Sequence, residues 1–389
     1  MNNSSDFVVV GAGVFGAWTA RYLRRSGASV ALVDAYGPGN SRSSSGGESR
    51  ILRMGYGTDQ LYTQWALRSF PQWRDLLDRS GQNLLVRTGV LWLGRDSDPH
   101  LLGMRELLTL LRVPCEQLTG AEIGRRYPQL RMPDVSLGVL EPDSGVVLAR
   151  RAVQALVRDL EQSGVTVVID PVEPLVNSRA TTSAKLTQVR TSSGQSLSAA
   201  AFVFACGAWL PKLFPDVLAE KIFPTRQEVF FLGPPAGNND FSVGKMPAWL
   251  HHSHADRPYA LPNIESRGFK IAFDRHGPEF DPQTGSRVVA PGAINRLRAY
   301  LGEHVPELEG APVVETLVCQ YENTWNGDFL IDRHPGFNNV WVAGGGSGHG
   351  FKHGPAVGEY LAALILGQST PDPRFSLANK QNRQMRGIY

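Results

Sequence analysis

The chain is poor in cysteine, in net charge and in long apolar runs, and each shortage excludes something. Only three of its 389 residues are cysteine. Cys115, Cys206 and Cys319 stand far apart with no CxxC spacing, which excludes a disulfide framework and a cysteine-based zinc site. A reducing compartment, the cytoplasm, is the expected location. Lys and Arg number 39 against 36 Asp and Glu, a formal charge of +3, too slight a surplus to mark a nucleic acid or an anionic membrane as partner. No apolar stretch approaches the roughly 18 residues that cross a bilayer. The first apolar run, Phe7 to Val10, has no basic segment ahead of it and passes straight into glycines, so a buried strand is expected there and not a secretory leader. The terminal Arg386-Gly387-Ile388-Tyr389 matches neither a peroxisomal tripeptide nor a prenylation box. With 42% apolar and 19% charged residues, and glycine and proline scattered, the composition excludes a disordered, collagen-like or coiled-coil chain. A globular protein with a small-molecule ligand remains.

At about 150 residues per domain the length suggests two domains. Residues 7 to 34 form a complete strand-turn-helix-strand pattern, with an amphipathic segment around Trp18 to Leu23, a stop at Gly27 and a second strand from Ser29 to Val33. Helical spacing returns at Gln60 to Leu77, Leu101 to Leu111 and Ala149 to Ser163. Strands are expected at Arg87 to Gly94, Val165 to Ile169 and Ala201 to Ala205. Between Phe223 and Phe273 strands alternate with Pro and Gly turns, the signature of an antiparallel sheet. The apolar run Asn339 to Ala343, then glycines and a helix over Pro355 to Leu366, resumes the opening pattern. The fold class expected is α/β: a Rossmann-like nucleotide-binding domain (1–85, 146–220 and 325–389) with a second α+β substrate domain on a largely antiparallel sheet (86–145 and 221–324).

Gly11-Ala12-Gly13-Val14-Phe15-Gly16 lies between the first strand and helix. Its missing side chains permit a tight turn, close approach of a diphosphate and close helix-strand packing, and the helix presents its positive end to the phosphates. Asp34 ends the second strand, where an acid accepts from a ribose 2′-hydroxyl and repels a 2′-phosphate, so NADP is disfavoured. The fingerprint by itself does not separate NAD from FAD.

Four further segments do. Ser45-Gly46-Gly47-Glu48-Ser49-Arg50-Ile51-Leu52-Arg53-Met54-Gly55-Tyr56-Gly57 resembles the flavin-proximal segment of the monomeric sarcosine oxidase and N-methyltryptophan oxidase family of FAD amine oxidases. So do Ala205-Cys206-Gly207-Ala208-Trp209, Cys319-Gln320-Tyr321 running on to Asp328-Phe329-Leu330-Ile331-Asp332, and Gly346-Ser347-Gly348-His349-Gly350-Phe351-Lys352. The resemblance spans residues 7 to about 366. It implies an FAD cradle of Gly11, Gly13, Val14, Phe15, Gly16 and Asp34, extended by Ser44, Ser49 and Arg50, by Cys206, Gly207 and Trp209, and by Gly346, Gly348, Gly350, Phe351 and Lys352. It also implies a thioether from Cys319 to the 8α-carbon of the flavin. Taken alone, a cysteine ending the apolar run Val313 to Val318 is an ordinary core thiol. Cys115 and Cys206, the latter placed inside a buried strand, keep that structural reading.

In the same family the counterparts of Arg53 and Lys352 clamp the carboxylate of an amino-acid substrate, a planar fork and a point charge together. The counterpart of Arg50 packs against the flavin. Lys270 lies in Gly268-Phe269-Lys270-Ile271-Ala272-Phe273-Asp274, whose alternation turns it away from the apolar face. The pattern alone allows a solvent face; the resemblance implies a lysine above the flavin that promotes reaction with oxygen. Tyr259 and Tyr321 match aromatic positions of the family pocket. His349 is read as structural. His251, His252 and His254, with only Asp256 close in sequence, match no standard metal site and are read as a polar loop, so no metal is expected.

This chain departs from the family at Ser45 and Gly46, at Asp274 in place of a histidine, and at Glu322 and Trp325. The substrate class is therefore open, and an acid at Glu322 suggests a larger or more basic amine. The expected activity is oxidation of an N-methyl or cyclic amino acid carrying a carboxylate, with hydride transfer to FAD and molecular oxygen as acceptor. A monomer is expected. An amine dehydrogenase using another acceptor and a non-catalytic FAD-binding module are the alternatives.

Overall fold

The computed structural model describes residues 4–175 and 184–380; the terminal tetrapeptide considered above lies outside them. Two large sheets share the chain. The first is built on five parallel strands in the order Thr166–Ile169, Val30–Asp34, Ser4–Val10, Ser196–Phe204 and Val340–Gly344. Leu330–Arg333 and Gln188–Arg190 join it antiparallel. Its strands are nearly continuous runs of valine, phenylalanine and leucine because both faces are covered, as parallel sheets require. The helix Val14–Arg25 packs against the late helix Gly354–Ile365, with Trp18 1% exposed between them.

The second sheet has eight strands, in the order Val313–Thr324, Ile222–Leu232, Phe269–Phe273, Pro258–Leu261, Ala248–His251, Val90–Gly94, Leu137–Glu141 and Glu116–Thr119. All neighbours are antiparallel except Ala248–His251 beside Val90–Gly94. One face buries Phe269, Ile271 and Phe273 with Leu297, Tyr300 and Leu301 of the helix Ala293–His304. The opposite face carries Lys270 and Ala272. A small third sheet, Arg50–Leu52, Gly145–Val147 and Leu85–Val86, holds the loop that follows the fingerprint. No helix among the described residues is long and apolar enough to cross a membrane.

Three expectations change. Cys319, taken alone a core thiol at the end of the apolar run Val313 to Val318, lies within a strand that runs on to Thr324, is paired opposite Gln227 and lines a cavity. Cys206 lies beyond its strand, which stops at Phe204, and the turn that follows puts the residue on a cavity wall. His251 is the last residue of a central strand and 0% exposed, and His252 is bonded to Asp98 at 2.7 Å. Pairing with Val90–Gly94 carries His251 into the interior, whereas His252 and His254 lie, as expected, in the polar turn that follows the strand.

Candidate active site

A cavity of about 400 Å³ opens at the carboxyl ends of the parallel strands, where ligands of open α/β sheets bind. Gly11, Gly13, Val14, Phe15, Asp34, Ser44 and Arg50 line it, joined by Cys206, Gly207, Trp209, Cys319 and Tyr321 and by Gly346, Gly348, Gly350 and Phe351. Gly11 has φ +105, and a side chain there would overlap the Ala205 carbonyl oxygen. Gly16 lies just behind the wall, against the Gly11 carbonyl, as the packing glycine of the fingerprint. Asp34 accepts from the amides of Ala12 and Tyr36 at 2.8 and 2.9 Å, one to each oxygen, which fixes the carboxylate at the rim. Sequence reasoning missed Ser45, whose hydroxyl accepts from the Val14 amide at 3.1 Å, and the lining residues Asn40, Ser43 and Gln320.

At the inner end of the cavity Arg50 donates to the Cys319 sulfur at 3.4 Å and to the carbonyls of Ser44 and Ser49 at 2.7 and 2.8 Å. Lys270, 3% exposed, donates to the Ser49 carbonyl at 2.8 Å, with the Ser49 hydroxyl at 3.2 Å. The face opposite the core is thus buried against the Ser49 segment and does not meet solvent. Burial, reinforced by the Arg50 charge, lowers the Lys270 ammonium to about 7. Tyr259 lies beside it, 6.0 Å from the ammonium to ring centre. Tyr321 donates to Asp274 at 2.6 Å, and burial pushes that carboxyl up to about 6.

Arg53 and Lys352 meet over one ring. The Arg53 guanidinium lies 4.4 Å from the centre of Tyr56 and 4.5 Å from that of Trp92. Lys352 donates to the Tyr56 hydroxyl at 2.7 Å and to the His349 carbonyl at 3.1 Å. Both cations are buried, and desolvation followed by repulsion from Arg53 brings Lys352 well below its ordinary range. Two buried cations close together, with Asp274 and Glu141 as the carboxylates that act on Lys352, favour a further anion beside them. His349 Nε2 lies 3.0 Å from the Gly327 carbonyl oxygen. Glu141, which no sequence signal singled out, accepts from Met54 and Gly55 amides and from the Trp92 indole at 2.7, 3.3 and 2.8 Å, and so positions the Arg53 segment. Tyr56, Trp92 and His353 were missed likewise; the His353 Nε2 is 2.7 Å from the Tyr56 hydroxyl.

Glu322 points from the strand face opposite Cys319 and Tyr321, against Gly207 and Gly346, and lines the cavity. Its Oε1 accepts from the Gly346 amide at 3.3 Å; its Oε2 is buried with no hydrogen-bond partner. Burial raises the carboxyl to about 7. A glycine-walled groove, a helix N-terminus, an acid fixed at the rim and a buried acid with one oxygen unpartnered fit a bound dinucleotide with hydroxyl and diphosphate groups.

Residues 6–364 match a family model described as FAD dependent oxidoreductase. The chain is 31% identical over 369 residues to a monomeric sarcosine oxidase of Bacillus sp. (strain NS-129), covering 94% of this chain and 93% of that one. It is 29% identical over 385 residues to an N-methyl-L-tryptophan oxidase of Citrobacter koseri, covering 96% of each. Among solved structures, an L-proline dehydrogenase from P. horikoshii superimposes with a TM-score of 0.82 at 21% identity, over 99% of this chain and 100% of the other.

Proposed function

The chain belongs to the family of FAD-dependent oxidoreductases, and from that premise we propose that it oxidises small secondary amino acids, N-methylated or cyclic, with oxygen as acceptor. The observation that carries this reading is the convergence of buried Arg53 and Lys352 on Tyr56. A substrate carboxylate received there lets Arg53 supply paired donors and Lys352 a point charge. Relatives named for oxidising sarcosine and N-methyl-L-tryptophan support the substrate class.

Gly11, Gly13, Val14, Phe15 and Asp34 would hold the nucleotide half of FAD, and Arg50, Cys319 and Tyr321 its ring end, with Cys319 as the point of covalent attachment. When bound, FAD would supply the two-electron redox chemistry that takes a secondary amino acid to its imine and oxygen to hydrogen peroxide. The protein's residues orient and enclose. Arg53 and Lys352 fix the carboxylate and hence the α-carbon. Tyr259, Tyr321 and Asp274 form the wall beside it, and Asp274, ionised above about pH 6, favours an amine that enters as a cation and must lose its proton to react. Lys270 places a positive charge where negative charge develops on oxygen. Relatives named monomeric sarcosine oxidase support a monomer, and three unpaired cysteines fit a reducing compartment such as the cytoplasm.

The test is anaerobic mixing of the purified yellow protein with sarcosine, other N-methyl amino acids, L-proline and glycine, followed by admission of air. Bleaching by secondary amino acids and one peroxide per oxygen consumed are expected. Bleaching that reverses only with an artificial acceptor makes the protein a dehydrogenase, and no bleaching with any amine makes it a non-catalytic flavin carrier.

A further inference from the structure

Behind the substrate-side sheet lies a cluster of imidazoles that the proposed reaction does not use. His251 ends the strand Ala248–His251, His304 ends the helix Ala293–His304, and both are buried. Asp134, in the turn ahead of Leu137–Glu141, comes between them. Its Oδ2 is 3.2 Å from His251 Nε2 and its Oδ1 is 3.9 Å from His304 Nε2. The three candidate ligand atoms fall within 4.8 Å of one another.

The other nitrogen of each ring is already engaged. His251 Nδ1 is 3.0 Å from the Tyr300 hydroxyl, and His304 Nδ1 is 3.1 Å from the Tyr300 carbonyl oxygen. The Tyr300 ring also stacks on His304 at 4.3 Å. Such partners on one nitrogen turn the opposite nitrogen toward a common point, as the surroundings of metal-bound histidines do. A third ring, His254, stands 5.4 Å from His251 and 5.7 Å from His304, which are themselves 5.2 Å apart, centre to centre. Imidazoles sharing a tetrahedral ion through bonds of about 2.0–2.1 Å have centres about 5 Å apart. His254 Nδ1 accepts from the Asp256 amide at 3.1 Å, so its Nε2 carries the ring proton and His254 borders the cluster without being a ligand.

A simple His-Asp hydrogen bond accounts for one of these contacts. It does not account for a second imidazole aimed at the other carboxylate oxygen from beyond bonding distance, nor for that buried oxygen accepting no hydrogen bond. We propose that Asp134, His251 and His304, with water in the fourth position, bind a divalent ion of the Zn²⁺ class that ties the helix Ala293–His304 to the sheet. Ligand atoms around tetrahedral zinc stand about 3.3 Å apart, so the three protein ligands, already within 4.8 Å of one another, close with movements of about 1 Å. Two imidazoles and a carboxylate select zinc over the hard ions that take oxygen alone. None of the three residues lines the flavin cavity.

The experiment uses the flavin-loaded full chain, incubated with zinc sulfate, desalted, and measured for metal per chain and for thermal unfolding with zinc or with chelator. Close to one zinc per chain and a melting temperature several degrees higher with zinc are expected. Asp134→Asn and His304→Gln should lose both, with the visible flavin spectrum kept. If these variants do not fold, the wild-type protein loaded with Co²⁺ decides, since four-coordinate ligation by imidazole and carboxylate gives intense ligand-field bands at wavelengths beyond the flavin. Negligible retained zinc, a zinc-induced shift that survives in Asp134→Asn, or Co²⁺ bands of the six-coordinate aqueous ion would overturn the site.

Discussion

The guanidinium of Arg50 donates to the sulfur of Cys319 across 3.4 Å, joining residues 269 positions apart. That hydrogen bond fixes the sulfur at the ring end of the cavity. The pair is therefore placed to make a bond as well as to hold a shape.

Attachment is the first consequence. Acid-precipitated wild-type protein should keep its yellow colour, whereas Cys319→Ser should release it into the supernatant after binding FAD reversibly. Arg50→Met should slow covalent incorporation into apoprotein by about 10–100-fold, the worth of a charged hydrogen bond. Colour released from the wild type would sink the assignment.

Lys270 makes the oxygen step depend on pH. Its ammonium titrates at about 7, so the charged fraction falls as pH rises through that value. The rate at which reduced enzyme consumes oxygen should decline above pH 7, and Lys270→Met should lower it about 10²–10³-fold and remove the slope. Stopped-flow oxidation from pH 6 to 9 measures this; a flat wild-type profile contradicts it.

Removal of either carboxylate-binding cation should cost substrate affinity before anything else. Arg53→Met and Lys352→Met are expected to lower kcat/KM for an amino acid by about 10–100-fold each. The same amine lacking its carboxylate should react almost equally with wild type and variants. A uniform loss on both substrates would mean that these residues only support the fold.

Glu322 links pH to stability. Its ordinary value is 4.5 and its folded value about 7, so the native protein keeps a proton that the unfolded chain releases. That stabilisation is complete below about pH 4.5, fades as pH rises to 7, and amounts to about 3 kcal/mol at most. Denaturant midpoints of apoprotein at pH 5 and pH 8 should differ less in Glu322→Gln than in wild type. Equal differences would remove the buried proton.

The opening strand-helix-strand was legible because a parallel strand covered on both faces and a helix covered on one write themselves as apolar periods. Alternation from Phe269 to Phe273 likewise told which way Lys270 points, though not that Ser49 would meet it. Glu141 left no trace, because its partners Met54 and Gly55 are 87 and 86 positions away and an isolated acid has no period. His251 was misread for the same reason: the acid that faces it is Asp134, 117 positions earlier, and local spacing carries no information about it. Glu322 was visible as an odd residue, but its strand face, which decides whether it meets substrate or the dinucleotide groove, became clear only once the strand was known to run to Thr324.

The walls of the chamber come from the start, the middle and the end of the chain, with Gly11 and Lys352 on segments that touch through Phe15 and Gly350. Ribosomal synthesis must therefore pass residue 352 of 389 before the last wall exists. Vitamin loading belongs to the finished polypeptide, and a nascent chain stalled short of that point has nothing with which to close around its dinucleotide.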